Sequence, residues 1–149
     1  MALPSKIKQM IGKSTAPAVF EVEKNQIRRF ARAIGEESAI HFDEEAAKSA
    51  GYSGLVAPPT FAAVLDNTAD LREELGLNPT VTMHAEEEYE YFREICAGDE
   101  ITIVHRISDA YDKPAPKGRL IYIVLETRGA DKKSRPVFKG RRILVELKQ

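Results

Sequence analysis

A single cysteine, Cys96, stands among the 149 residues, which excludes an intrachain disulfide. No uninterrupted apolar run approaches the ~20 residues that a membrane-spanning helix needs. The opening MALPSKIKQMIGKS lacks a continuous apolar segment ahead of a small-residue cleavage site, so no secretory signal is expected and a cytoplasmic location is. A net charge of -1 argues against nucleic acid as a partner. Histidine is scarce too: His41, His84 and His105 lie far apart, and only His41-Phe42-Asp43 forms a close pair, so no metal site is expected. The Gly51 to Gly54 spacing is no phosphate loop, and internal repeats, low-complexity tracts and linkers are missing. With 43% apolar side chains, the chain reads as one domain, residues 1 to 149, with a core of its own.

Charge is unevenly placed. Residues 1 to 110 carry 11 basic and 19 acidic side chains, whereas 111 to 149 carry 11 basic and 4 acidic. Lys132, Lys133, Arg135, Lys139, Arg141 and Arg142 suit either the phosphates of coenzyme A or an acidic carrier protein, or a solvated sheet face that balances acids elsewhere.

Residues 1 to 16 show no clear period and read as an irregular lead-in, followed by a short strand over 18 to 23. Ile27, Phe30, Ala31 and Ile34 recur at helical spacing, with Asn25 as cap and Gly35 just past the end. Asp43 before Glu44-Glu45 opens a second helix: its carboxylate can accept from free backbone N–H groups, and the glutamates favour the positive end of the dipole. Gly51 ends it. Pro58-Pro59 then starts a longer helix running to Leu75, with Phe61, Val64, Leu65, Thr68, Leu71 and Leu75 on one broad face. Asp66 and Asp70, at i and i+4, read as a solvent-facing stripe or a partner contact. Beyond Asn78-Pro79 the period changes to two. Strands are expected through Val81 to Tyr91, Ile101 to Ser108, the continuously apolar Leu120 to Leu125, and Val137 to Leu147, joined at Gly98-Asp99, 113 to 118 and 129 to 136. An antiparallel sheet covering one apolar helix is an α+β arrangement.

The run Gly35-Glu36-Glu37-Ser38-Ala39-Ile40-His41-Phe42-Asp43 resembles the MaoC-like (R)-specific enoyl-thioester hydratase and dehydratase family. That pattern sets an acid after glycine, an aliphatic residue, then His-any-Asp. Arg29-Phe30-Ala31 before it, Gly51-Tyr52 and Ala57-Pro58-Pro59-Thr60-Phe61 after it, and Met83-His84-Ala85-Glu86 and Ala97-Gly98-Asp99-Glu100 farther on extend the likeness over about residues 15 to 147. It is most similar to the branch of N-terminal dehydratase domains of fatty-acid synthases and mycolic-acid dehydratase small subunits. The resemblance implies a hot-dog fold, with the sheet wrapped around one long central helix, in homodimers or higher assemblies or with a hot-dog partner subunit. It implies reversible hydration of an enoyl thioester of coenzyme A or acyl carrier protein, with no cofactor. Glu36 and His41 take the catalytic positions, the Thr60 backbone N–H the oxyanion position, and Tyr52, Phe61 and His84 the substrate side.

Such chemistry needs a base for water, a proton donor for the α-carbon and a site for enolate charge. A carboxylate, an imidazole and a helix start can supply these. Two departures stand out: Glu36 replaces Asp, and Pro58-Pro59 replaces His-Gly, so Pro59 has no N–H to give. A second reading therefore stands beside the first, that of a catalytically silent subunit that holds acyl thioesters, with thioester hydrolysis as a third. Cys96 has no neighbouring base or helix start in sequence that would make it a nucleophile.

Overall fold

The computed structural model describes residues 3–149. Its framework is one antiparallel sheet of five strands: β1 (Ala18–Glu21), β2 (Thr82–Tyr91), β3 (Glu100–Ala115), β4 (Gly118–Ala130) and β5 (Pro136–Lys148), in the order β1-β3-β4-β5-β2. Four α-helices accompany it: α1 (Ser5–Met10), α2 (Lys24–Ala33), α3 (Glu44–Ser49) and α4 (Ala69–Leu75), with 3-10 turns at Ala39–His41 and Phe61–Val64. The segment from Phe61 to Leu75 lies against the inner face of the sheet, which is the expected hot-dog, α+β arrangement. Phe61 and Leu65 pack with Ile101, Ile103 and Phe138. Leu71 and Leu75 pack with Ile107, Leu125 and Leu144.

The one long central helix expected from Pro59 to Leu75 is broken. After the 3-10 turn, Leu65 leaves helical geometry (φ -84°, ψ 68°) and helix resumes only at Ala69. The cause lies in Asp66-Asn67-Thr68: the Asp66 carboxylate accepts from Thr68 N–H at 2.8 Å, a local turn that competes with the helix ladder. Asp66, read as part of a solvent-facing stripe or a partner contact, turns inward to Arg142 at 2.7 Å. Val64 is consequently exposed and Thr68 buried.

Other expectations shift as well. Within the lead-in, residues 1 and 2 lie outside the described residues, but Ser5–Met10 is helical, because Leu3, Ile7 and Met10 form a stripe buried against Leu71 and Leu75. Asn25 does not cap α2; Glu23 holds that position without a side-chain bond, and Asn25 sits in the first turn accepting from Arg28. Asp43 does cap α3, accepting from Glu45 N–H at 2.8 Å and Ala46 N–H at 3.3 Å. Gly51, at φ +95°, closes that helix while Tyr52 N–H returns to Ala47 O. The 113 to 118 connection is shorter than expected: pairing continues to Ala115↔Gly118.

A bulge in β2 sets which of its side chains face inward. In β2 the register shifts between His84 and Glu86. Tyr91, Tyr89 and Glu87 face the helical side, but beyond the bulge Thr82 and His84 take over, opposite Glu146 and Leu144. Met83 is left 62% exposed. The basic residues of β5 follow the solvated-face reading: Lys139 pairs with Glu90 and Arg141 with Glu86 on the outer surface, while Lys132 pairs with Glu100 and Arg135 with Asp131. Arg142 alone of this set points inward, 7% exposed at its side chain.

Candidate active site

α2 ends where Gly35 adopts φ +78°, and Glu36 N–H bonds back to Ala31 O at 2.9 Å. This closure fixes the backbone of Glu36 against the helix end. His41 closes the following 3-10 turn, immediately before the Asp43 cap of α3. Arg28 ties the two helices by donating to Phe42 O at 3.1 Å. Both candidate side chains thus sit between two helix ends.

His41 is buried, 6% exposed, and its Nδ1 lies 2.6 Å from Val56 O. A carbonyl oxygen only accepts, so Nδ1 carries the proton. Nε2 then faces the Glu36 carboxylate at 3.7 Å. That spacing exceeds a direct hydrogen bond and suits a water oxygen bonded to both groups at once. Val56 is itself pinned: its N–H donates to Ile40 O at 3.0 Å, and it bridges Cys96, flanked by Ala57 N–H to Ile95 O and Ala97 N–H to Leu55 O, each 2.8 Å. Burial raises the Cys96 thiol pKa, which leaves it a poor nucleophile.

Thr60 lies four residues beyond Val56, exposed, ahead of the 3-10 turn. Its N–H has no intramolecular acceptor among the described residues. The other expected substrate residues divide. Tyr52 is half-buried in the loop after α3. Phe61 is wholly buried, edge-on to Phe30 with centroids 5.5 Å apart; that side chain belongs to the core, because the turn carrying it packs flat on the sheet. His84 is not brought to Glu36 and His41. It lines a separate cleft of about 920 Å³ between α4 and β2, with Asp66, Arg72 and Leu144, where burial and then Arg142 lower its pKa.

A second carboxylate-imidazole pair, absent from the sequence reading, crosses the inner face. His105, opposite Thr127 across β3 and β4, is 2% exposed. Its Nδ1 is 2.7 Å from Thr127 Oγ1 and its Nε2 is 3.9 Å from Asp66. Arg142 joins Asp66 to Glu87, at 2.7 Å from each carboxylate, and Arg72 reaches Asp66 at 3.1 Å. Burial opposes ionisation of Asp66, but Thr68 and Arg142 outweigh it and hold the carboxyl down to about 2. This polar seam divides the two apolar clusters. Its one signal in sequence is the polar trio Asp66-Asn67-Thr68 interrupting an apolar helical period.

With this geometry in place, the likeness to known proteins has a footing. The chain belongs to the family described as FAS1-like, dehydratase domain region, whose model matches residues 9–140. A UPF0336 protein of Saccharopolyspora erythraea is 42% identical over 101 residues, covering 64% of this chain and 65% of that protein; the match thus spans somewhat under two thirds of the relative's length. Among solved structures, a C-terminally truncated HadBC (3R-hydroxyacyl-ACP dehydratase) complex from Mycobacterium tuberculosis superposes with a TM-score of 0.78 at 23% identity, over 91% of this chain and 96% of that one. A MaoC-like dehydratase superposes with a TM-score of 0.82 at 23% identity, over 95% of this chain and 43% of that one. These two share the fold.

Proposed function

We infer that the protein hydrates an enoyl thioester, or dehydrates the 3-hydroxyacyl form, with Glu36 and His41 as the working pair. The observation carrying this reading is the approach of the Glu36 carboxylate to His41 Nε2 at 3.7 Å while Nδ1 is committed to Val56 O. In the hydration direction a water between them gives a proton to Glu36 as its oxygen bonds to the β-carbon. The electron pair of the double bond moves onto the thioester oxygen, which the free Thr60 N–H stabilises. The α-carbon then collects a proton from Nε2 when the imidazole carries it, and passage of the Glu36 proton to Nε2 resets the pair. Hydroxyl and hydrogen have been added and nothing else consumed. The (R) configuration of the product and coenzyme A or carrier protein as the thiol are part of the proposal by family likeness.

The test follows the 2-enoyl absorbance of crotonyl-coenzyme A. Loss of absorbance with the wild-type chain, abolished by His41→Ala and Glu36→Gln, supports the assignment; full activity in either variant rejects that residue's role. Pro59 favours a second reading. The residue before Thr60 has no N–H, so one oxyanion donor is missing, and the HadBC neighbour is a two-chain complex. In that reading the chain holds the acyl thioester for a hot-dog partner subunit, is silent alone, and gives activity in the mixture that Glu36→Gln leaves unchanged.

A further inference from the structure

The turn that carries Thr60 is held in an unusual way. Phe61 N–H donates to Pro58 O at 2.9 Å and Ala63 N–H to Thr60 O at 3.1 Å. Between them, the Pro59 carbonyl is taken by the hydroxyl of Tyr91. A side chain from the last residue of β2 is thus wedged into the hydrogen bond that an undisturbed 3-10 turn would form between residues 59 and 62. Farther along the turn, Ala63 O accepts from Arg142 at 3.4 Å.

The Tyr91 ring is itself fixed. It packs on Phe138 with centroids 5.8 Å apart and on Tyr89 at 6.0 Å. Tyr89 in turn lies across Gly140, where a Cβ would come within 3.1 Å of its ring. Burial pushes the Tyr91 phenol up to about 12, so the hydroxyl keeps its proton and remains a donor to Pro59 O throughout the neutral range. The peptide plane that carries both Pro59 O and the Thr60 N–H is therefore referenced to the sheet.

We propose that Tyr91 is a positioning residue for the thioester: its hydroxyl, donating to Pro59 O, orients the turn so that the Thr60 N–H can hold the thioester carbonyl oxygen. Pro59 makes this device necessary, because the lone donor at Thr60 has no neighbouring N–H to share the oxygen and its aim decides the contact. The proposal rests on the reading of Thr60 as the carbonyl-binding amide, but it does not require turnover.

The test compares, by titration calorimetry, binding of butyryl-coenzyme A with binding of its thioether analogue, S-butyl-coenzyme A, which lacks the carbonyl oxygen. The wild-type chain should prefer the thioester by roughly tenfold, the worth of one hydrogen bond. Tyr91→Phe keeps the ring packing and should lose that preference while binding the thioether as before. Tyr111→Phe, a tyrosine stacked on Tyr122 away from the turn, should retain it. A Tyr91→Phe protein that still prefers the thioester tenfold overturns the proposal, as does a wild-type chain that binds both ligands equally or neither. If the preference follows Tyr91 but crotonyl-coenzyme A is not hydrated, the positioning role stands and the catalytic reading fails.

Discussion

Two carboxylate-imidazole pairs of nearly equal separation, Glu36 with His41 at 3.7 Å and Asp66 with His105 at 3.9 Å, are built for different work. Each histidine is buried and commits Nδ1 to a neighbour. The difference lies in the acids. Asp66 is surrounded by Arg142, Arg72 and the Thr68 N–H, and with its carboxyl held down to about 2 it has too little basicity to take a proton from water. Glu36 has no arginine partner among the described contacts and its side chain is 35% exposed, so water reaches it. Proximity of acid and imidazole is common to both places; what separates a site from a structural seam is whether a cation has already claimed the carboxylate.

The largest expected effect breaks this comparison at the first pair. His41→Ala should lower crotonyl-coenzyme A hydration by about 10²- to 10⁴-fold in protein that still unfolds cooperatively in urea. An equal loss of activity in His105→Ala, at unchanged stability, would erase the distinction drawn here. Next comes Arg142→Met, which leaves the partly exposed Asp66 and Glu87 without their shared, buried cation and should cost about 3 kcal/mol of stability by urea titration. Neutralising the acids in the same chain, through Asp66→Asn and Glu87→Gln, should restore much of that loss, since the penalty comes from uncompensated charge.

A smaller effect sharpens the role of Asp66. Its carboxyl stands at about 2 in the folded chain against an ordinary 3.8, a depressed value. The stability it contributes, about 2 kcal/mol, is therefore fully present above pH ~4 and lost as pH falls through 2. His105, whose pKa burial and Arg142 lower, adds a loss of the same sign that begins below the ordinary imidazole value of 6.5. Asp66→Asn should flatten the acid limb between pH 4 and 2 and, by removing the charge that opposes the lowering of the His105 pKa, deepen the histidine part. An unchanged acid limb would mean that Asp66 is not ionised in the seam.

The two pairs also show why one was legible in sequence and the other was not. Glu36, His41 and the Asp43 cap lie within eight consecutive residues, so a motif and a helix-start signal carry them, and the strands follow from a period of two. The seam draws Asp66, Glu87, His105 and Arg142 from four distant parts of the chain, which no local period connects. Helical spacing from Phe61 to Leu75 is satisfied on paper by a continuous helix; the Asp66-Arg142 contact that favours the break exists only after the sheet has formed. The bulge after His84 has the same character: alternation alone puts Met83 inside, and the register shift puts it out. Leu3, Ile7 and Met10 are too few to set a clear period, and a helix of six residues is stable only through the packing of α4 against it.

The smallest effect concerns adjacent residues of one strand. Arg141 and Arg142 are chemically identical, yet the pleat sends them to opposite faces of β5. Arg141 meets Glu86 at 3.3 Å with both side chains well exposed, so water screens the pair and the arginine loses little when the contact is broken. Arg141→Gln should change stability by less than about 1 kcal/mol, and that small difference should shrink further in high salt. The same change at Arg142 removes a buried cation from two partly exposed acids and should be several times more costly, with a weaker dependence on salt. Equal losses at the two positions would mean that the seam is wet and its ions are screened, and the argument that Arg142 keeps Asp66 from acting as a base would lose its physical ground.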